Sequence, residues 1–327
     1  MRTTIGRLVQ ATAVAAGMML AAPAMAQVKV ALDSPPDLQG SGSYVWAHTF
    51  VESLKAAGMQ AEEFQRGALG GDDELFDQVS QGLLEVSMSP LGITGSIDST
   101  IYGLRLPYFF DTMEQVDKAL YEGGMLAAIN EKTTPKGVRV LAVNTVGQGA
   151  GIFNSKKPVE KVEDMAGLRM RALDESQIDL FKAWGSTGTI VAWAEVPNAL
   201  QTGVADGYLN PPVVPLLFGH TDFLKFFTDA EVSPSLRITI VSEDWYSGLS
   251  EEDRKKVDAA ADAANKANRE WLKTQAPVYG KLEAAGVKIS RLSPEARAAF
   301  LKASQPVYDS GLLTKEQIEA WTKAKGQ

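Results

Sequence analysis

The alternation of apolar and polar positions is clearest between Gly167 and Pro211. Leu168, Met170 and Ala172 alternate with Arg169 and Arg171, the period-two pattern of a strand with one wet or functional face. Asp174 stands where an N-cap belongs, and Ile178 and Phe181 mark the apolar face of a short helix that Gly185 ends. Residues 189–193 form a second short apolar run. Residues 195–202 read as a second helix, with Pro197 tolerated in its first turn and Gly203 as its stop. Residues 204–208 read as a third strand. This β-α-β-α-β order predicts parallel strands with helices packed over them. Ligands of such sheets bind beyond the carboxyl ends of the strands. Arg171, Trp193 and Asn210 all fall at or just past those ends. A cation, an aromatic face and an amide converging on one crevice suit a small organic carboxylate.

The first part of the chain repeats the architecture without repeating the sequence. Residues 28–32 and 60–64 are predicted strands, and 84–88 is a third. Helices are predicted over 44–57, where Val45, Phe50, Val51 and Leu54 recur at helical spacing, and over 72–81, capped by Asp72. The loop 89–95 is placed to line a crevice. A helix from about 112 to 121 precedes a strongly apolar strand at 138–145. The glycines of Gly147-Gln-Gly-Ala-Gly151 then suit a hinge. Residues 236–241 are a β-branched strand. Ser250 starts a long helix with a narrow stripe of Val257, Ala260, Ala261, Ala264, Ala267 and Trp271, which permits close packing. Pro277 interrupts the helical pattern before Gly286. A strand at 287–290 and helices at 294–303 and 315–324 finish the chain.

Composition narrows the class. With 327 residues there is material for two domains of ordinary size. Cysteine is absent and only His48 and His220 are present, so no disulfide framework, thiolate chemistry or His-rich metal site is expected. Residues 1–26 carry Arg2 and Arg7, a short apolar run at 11–20 and the small-x-small sequence Ala24-Met25-Ala26, the pattern of a signal peptide. The apolar run is too short to span a bilayer, and no lipid-anchoring cysteine is present. Cleavage before Gln27 and release into the periplasm are therefore expected. Removing Arg2 and Arg7 from the 32 basic residues leaves 30 against 40 acidic ones, a formal charge of −10. That balance excludes nucleic acid as a partner, and an anionic ligand would need local cations such as Arg171.

At this point a resemblance becomes specific. Gly-Leu-Arg-Met-Arg171, Glu195-Val-Pro-Asn-Ala-Leu-Gln-Thr-Gly203-Val-Ala-Asp206-Gly207 and Asn210-Pro211 resemble the signature of the solute-binding proteins of TRAP transporters (tripartite ATP-independent periplasmic transporters). Gly67-Ala-Leu-Gly-Gly-Asp72, Leu106-Pro-Tyr-Phe109 and Asn154-Ser-Lys-Lys-Pro-Val159 resemble further segments of that family, in the same order. The resemblance implies an α/β two-lobe periplasmic binding protein fold, with mixed sheets flanked by helices and a long lobe-spanning helix. Lobe I is expected over 27–147 plus about 236–275, and lobe II over 148–235 plus about 276–327. The implied function is capture of an organic acid between the lobes and its delivery to the membrane permease for ion-gradient-driven uptake. No catalysis, no cofactor and a monomer are expected. A binding protein of an ABC importer shares this logic and stays open as an alternative, as does a periplasmic enzyme, which the lack of a nucleophile motif disfavours.

The resemblance also assigns roles. Arg171 corresponds to the arginine that pairs with the ligand carboxylate, where a planar guanidinium makes two parallel bonds. Asn210 corresponds to an amide on the same carboxylate, and Trp193 to an aromatic against the ligand. Asp174 is a helix cap at the pocket edge that would favour hydroxyl or ammonium groups if it faced inward. Ser89 and Trp46 are expected in the pocket wall. Arg169 points to the opposite, solvated face, and His48 and His220 are expected to be structural. Many relatives carry a second basic residue where this chain has Gly151, which implies a pocket better matched to one carboxylate than two.

Overall fold

Among the described residues, eleven strands form two sheets, with helices between them. The computed structural model describes residues 27–326; the leader predicted over 1–26 lies outside the described residues. The strands in chain order are β1 (Val28–Ala31), β2 (Ala61–Phe64), β3 (Val86–Ser89), β4 (Val138–Thr145), β5 (Gly151–Asn154) and β6 (Arg169–Ala172). They continue as β7 (Thr187–Ile190), β8 (Gly207–Asn210), β9 (Phe226–Asp229), β10 (Leu236–Ser242) and β11 (Lys288–Arg291). The first sheet has the order β2-β1-β3-β10-β4, and the second β11-β9-β5-β8-β6-β7. β1 pairs in parallel with β2 and β3, and β6 with β7 and β8, as the β-α-β patterns predict. β10 and β5 run antiparallel to their neighbours, which makes both sheets mixed.

Each sheet buries its own core. In the first, helix Gly42–Ala56 lays Trp46, Phe50, Val51 and Leu54 against Val257, Ala260, Ala261 and Ala264 of the long helix Glu251–Lys273. The small-residue stripe lets these two helices approach closely. Buried Asn268 ties them to the sheet: its Nδ2 donates to the carbonyls of Gly42 (2.8 Å) and Thr145 (2.9 Å), and its Oδ1 accepts from the Thr145 N–H (2.9 Å). In the second sheet Phe153, Tyr208 and Phe227 pack as one aromatic group. The chain passes between the sheets at residues 146–150 and 230–235. These run side by side, with Val146 N donating to Ser235 O (2.8 Å) and Ala150 N to Ser233 O (2.8 Å). The long helix ends beside them, where Gln148 Nε2 donates to the Gln275 carbonyl (2.7 Å), and the chain then enters the second lobe.

Three expectations change. The third strand of the 167–211 stretch begins at Gly207, not 204. Gly203 leaves its helix at φ +74°, and the turn that follows puts Val204 in solvent and buries Asp206. Asp206 then accepts from the Arg169 N–H (2.9 Å) and its guanidinium (2.8 Å), so Arg169 is exposed, as expected, but ion-paired. The predicted helix at 112–121 is a short helix, Met113–Asp117, followed by a π turn. Finally, the sequence places residues 276–327 with the second lobe, but the last helix, Lys315–Lys325, packs in the first. Trp321 is fully buried among Leu104, Phe110 and Val116, and its Nε1 donates to the Thr100 carbonyl (2.8 Å). A side chain on Gly103 would overlap the Trp321 ring, so the glycine makes the docking possible.

Tyr108 joins the two lobes. It lies at φ 58°, a conformation unfavourable for a large side chain. Leu106, Phe109 and Phe110 pack in the first core, whereas Tyr108 turns into the second, its N–H donating to the Val232 carbonyl (2.6 Å).

Candidate functional site

The parallel strands of both sheets end at a common cavity of about 70 Å³. Asp33 and Ser34 follow β1, and Leu91 follows β3. From the second lobe come Leu173, Gln177, Trp193 and Asn210. Val146, Ala150 and residues 233–235 of the connecting segments form the back, with Leu236 and Arg237 of β10.

Arg171 lies behind Trp193, at 3% exposure. Register places it opposite Tyr208 on β8. Its Nε donates to the Val191 carbonyl (2.9 Å), and its guanidinium carbon lies 5.4 Å from the Trp193 ring centre. Among the described residues it has no carboxylate partner, whereas Arg105 and Arg237 each have one. Burial, with Arg237 and Arg105 nearby, pushes its pKa down to about 10. The fold therefore holds a positive charge that it does not itself neutralise. Asn210, at the end of β8, adds a buried Nδ2 without a hydrogen-bond partner.

Trp193 is fixed from behind by Phe218, edge-on at 4.9 Å, and by His220 at 5.2 Å. His220 is buried and its Nδ1 lies 3.2 Å from the Tyr208 hydroxyl. Burial first, and then the Arg171 charge, pushes it down to about 4, so it is neutral at neutral pH. Burial also raises the Tyr208 hydroxyl well above its ordinary value.

The other sequence-derived wall residues fall elsewhere. Trp46 is fully buried between the helices of the first lobe, its Nε1 donating to Asn265 Oδ1 (2.8 Å). It packs in the core of the first lobe, not in the pocket wall. Ser89 is buried at the end of β3, bonded with Thr94 Oγ1 at 3.3 Å, and the next turn presents Leu91 to the cavity instead. Asp174 caps its helix, accepting from Ser176 N (3.1 Å), but does not line the cavity. It pairs with Arg105, which also donates to Ser176 Oγ (2.9 Å) and reaches across from the first lobe. Burial pushes the Asp174 carboxyl up, but Arg105 and Ser176 outweigh it and hold it below the usual carboxylate range. At Gly151 a side chain would overlap the Phe227 ring, so this backbone has no room for a second basic residue there.

Sequence reasoning missed Arg105, Arg237 and Asp33. Asp33 is 4% exposed; its Oδ2 accepts from Arg237 Nε (2.6 Å) and Ser43 Oγ (3.2 Å). These residues lie far apart in the chain, and only the position of Asp33, just past a predicted strand, signalled a pocket.

The bacterial extracellular solute-binding proteins of family 7 match residues 33–315. The ectoine-binding periplasmic protein TeaA of Halomonas elongata is 30% identical over 304 residues, covering 86% of this chain and 84% of the relative. The chain belongs to the TRAP periplasmic solute-binding proteins. The C4-dicarboxylate-binding periplasmic protein DctP of Rhodobacter capsulatus is 25% identical over 319 residues, 94% of this chain and 93% of that one. Among solved structures, a TRAP solute-binding protein from Polaromonas sp. JS666 bound to D-erythronate superposes with a TM-score of 0.83 at 26% identity, covering 92% of this chain and 98% of that one. The ligands named for these relatives differ, so membership in the TRAP family fixes the task of solute binding and leaves the solute to the cavity. The family is periplasmic, and among the described residues no helix is long and apolar enough to cross a membrane.

Proposed function

We propose that this protein captures a small organic acid between its two lobes and presents it, enclosed, to the permease subunits of a TRAP transporter. The observation that carries this reading is Arg171: a buried guanidinium without a carboxylate partner among the described residues, beside a wall containing the unpartnered Asn210 amide. A buried cation is stabilised by an anion that brings its own hydrogen-bond acceptors. Arg171 would take the carboxylate, Asn210 would donate to it, and Trp193 would cover the apolar part of the ligand. The segments 146–150 and 230–235 would serve as the hinge, with closure favoured by the ligand's contacts to both lobes. Nothing in this reading requires chemistry on the ligand.

The test is native mass spectrometry of gently purified mature protein, before and after partial denaturation, followed by calorimetry with the acid identified. We expect an adduct of small-acid mass that Arg171→Ala does not retain. A variant that binds the native ligand with unchanged affinity would overturn the assignment, and a nucleotide or covalent acyl adduct would overturn the function.

A further inference from the structure

The charges around the cavity nearly cancel, and the remainder describes the ligand. Arg105 is matched by Asp174, and Arg237 by Asp33 at 2.6 Å. Arg66, which donates to the Asp33 carbonyl (2.8 Å), is matched by Asp72 at 3.0 Å. Arg171 has no such partner among the described residues, so the site carries one uncompensated positive charge. A ligand with two carboxylates would leave one negative charge unmatched. One carrying a carboxylate and an ammonium would leave one positive charge unmatched. Either remainder is unfavourable in a buried site.

The unpartnered polar atoms add a second constraint. Asn210 Nδ2 in the second lobe and Arg105 Nε in the first are buried donors without a partner. In the first lobe and the connecting segment, Asp33 Oδ1 and Ser235 Oγ are buried and unpartnered, and both belong to residues that line the cavity. An ionised carboxylate oxygen can only accept, so the ligand must bring a donor to Asp33. A hydroxyl supplies that donor without adding charge. The cavity of about 70 Å³ is small and favours a compact ligand.

We propose that the ligand is a small hydroxylated monocarboxylate, and that Asp33 is the residue that selects its hydroxyl. The carboxylate sits at Arg171 and Asn210, and a hydroxyl donates to Asp33 Oδ1. This inference rests on the reading of Arg171 as the carboxylate anchor. It moves to Asp33 the donor-selecting role expected of Asp174, because Arg105 occupies the Asp174 carboxylate.

The experiment is calorimetry on ligand-stripped mature protein with five four-carbon acids: butanoate, its 3-hydroxy derivative, its 2,3,4-trihydroxy derivative erythronate, succinate and 4-aminobutanoate. A hydroxy acid should bind at least about tenfold tighter than butanoate, succinate and 4-aminobutanoate, the effect of one hydrogen bond to a buried charged acceptor. Asp33→Asn should shrink the hydroxyl's advantage to under about threefold and favour succinate, because Arg237 then loses its counter-charge. The proposal is overturned if succinate or 4-aminobutanoate is preferred by the wild type, or if the hydroxyl's advantage survives in Asp33→Asn. The wild-type series decides the charge argument alone should that variant not fold. Failure of the carboxylate anchor looks different: either none of the five acids binds, or Arg171→Ala leaves their binding unchanged.

Discussion

Replacing Arg171 by methionine should make the ligand-free protein more stable while removing its function. The side chain is 3% exposed, and its pKa is pushed down from its ordinary value to about 10, first by burial and then by Arg237 and Arg105. A shift of that size corresponds to on the order of 3 kcal/mol of unfavourable free energy for holding the charge at neutral pH. Against it stand two favourable contacts that methionine would lose. The Nε bond to Val191 contributes about 1 kcal/mol, and the guanidinium over Trp193 about 0.5–1 kcal/mol. Methionine keeps most of the apolar stem, so the net expectation is a gain of about 1 kcal/mol, or a few degrees in Tm. Ligand affinity should fall by about 2–5 kcal/mol, the loss for removing one partner of a buried charge pair. The assay is paired: urea unfolding of ligand-stripped wild type and Arg171→Met, and calorimetry with the native ligand. A ligand-free variant less stable than wild type by 1 kcal/mol or more would refute the reasoning. The fold would then already compensate the charge, and Arg171 would not be waiting for an anion.

Further outcomes follow from other contacts. Asp174→Asn breaks the cross-lobe pair with Arg105, so it should weaken ligand affinity by about tenfold and shift X-ray scattering of the liganded protein toward a larger radius, whereas an unchanged affinity would leave the pair without a role in closure. The folded-state pKa of His220 is depressed to about 4 from 6.5, so the unfolded chain takes up its proton first; stability should decline as pH falls from 6.5 toward 4, and His220→Gln should flatten that part of the urea-midpoint profile relative to wild type. Equal slopes for both proteins would remove His220 as the cause. Trp46→Phe loses the Asn265 bond and some core volume, and should lower unfolding free energy by about 1–3 kcal/mol with ligand affinity unchanged, since Trp46 lies away from the cavity. A change in affinity would return Trp46 to the wall. Gly151→Ala should also destabilise, because its methyl group would overlap the Phe227 ring, and a variant as stable as wild type in urea would mean that β5 and β9 can part to admit it.

Much of the architecture was legible along the chain because its determinants are local. Alternation at 168–172 and helical spacing at 45–54 follow from the periods of strand and helix, and the placement of Arg171 and Asn210 at strand ends follows from the parallel connection. Asn210 and Trp193, the latter just past β7, line the cavity, whereas Arg171 sits behind Trp193 and does not. Trp46 and Ser89 were misplaced because a strand end or helix start points toward a crevice only in general. Which side chain faces it depends on the helix packed behind, here Glu251–Lys273, whose Asn265 bonds Trp46 from 219 residues away in sequence.

The sequence by itself determined two β-α-β layers, a charge balance hostile to anions except at local cations, and a cation, an aromatic and an amide at one sheet edge. Those properties follow from composition and from local periodicity along the chain. Only the tertiary structure decided that Asp33 meets Arg237 at 2.6 Å, that Asp174 faces Arg105 rather than the cavity, and that the last helix returns to the first lobe through Trp321. Whether a charge is free or paired is a property of distances between residues remote in the chain, and no periodicity records it. That is why Arg171 could be found in the sequence, while the single charge it leaves for a ligand could be counted only in the fold.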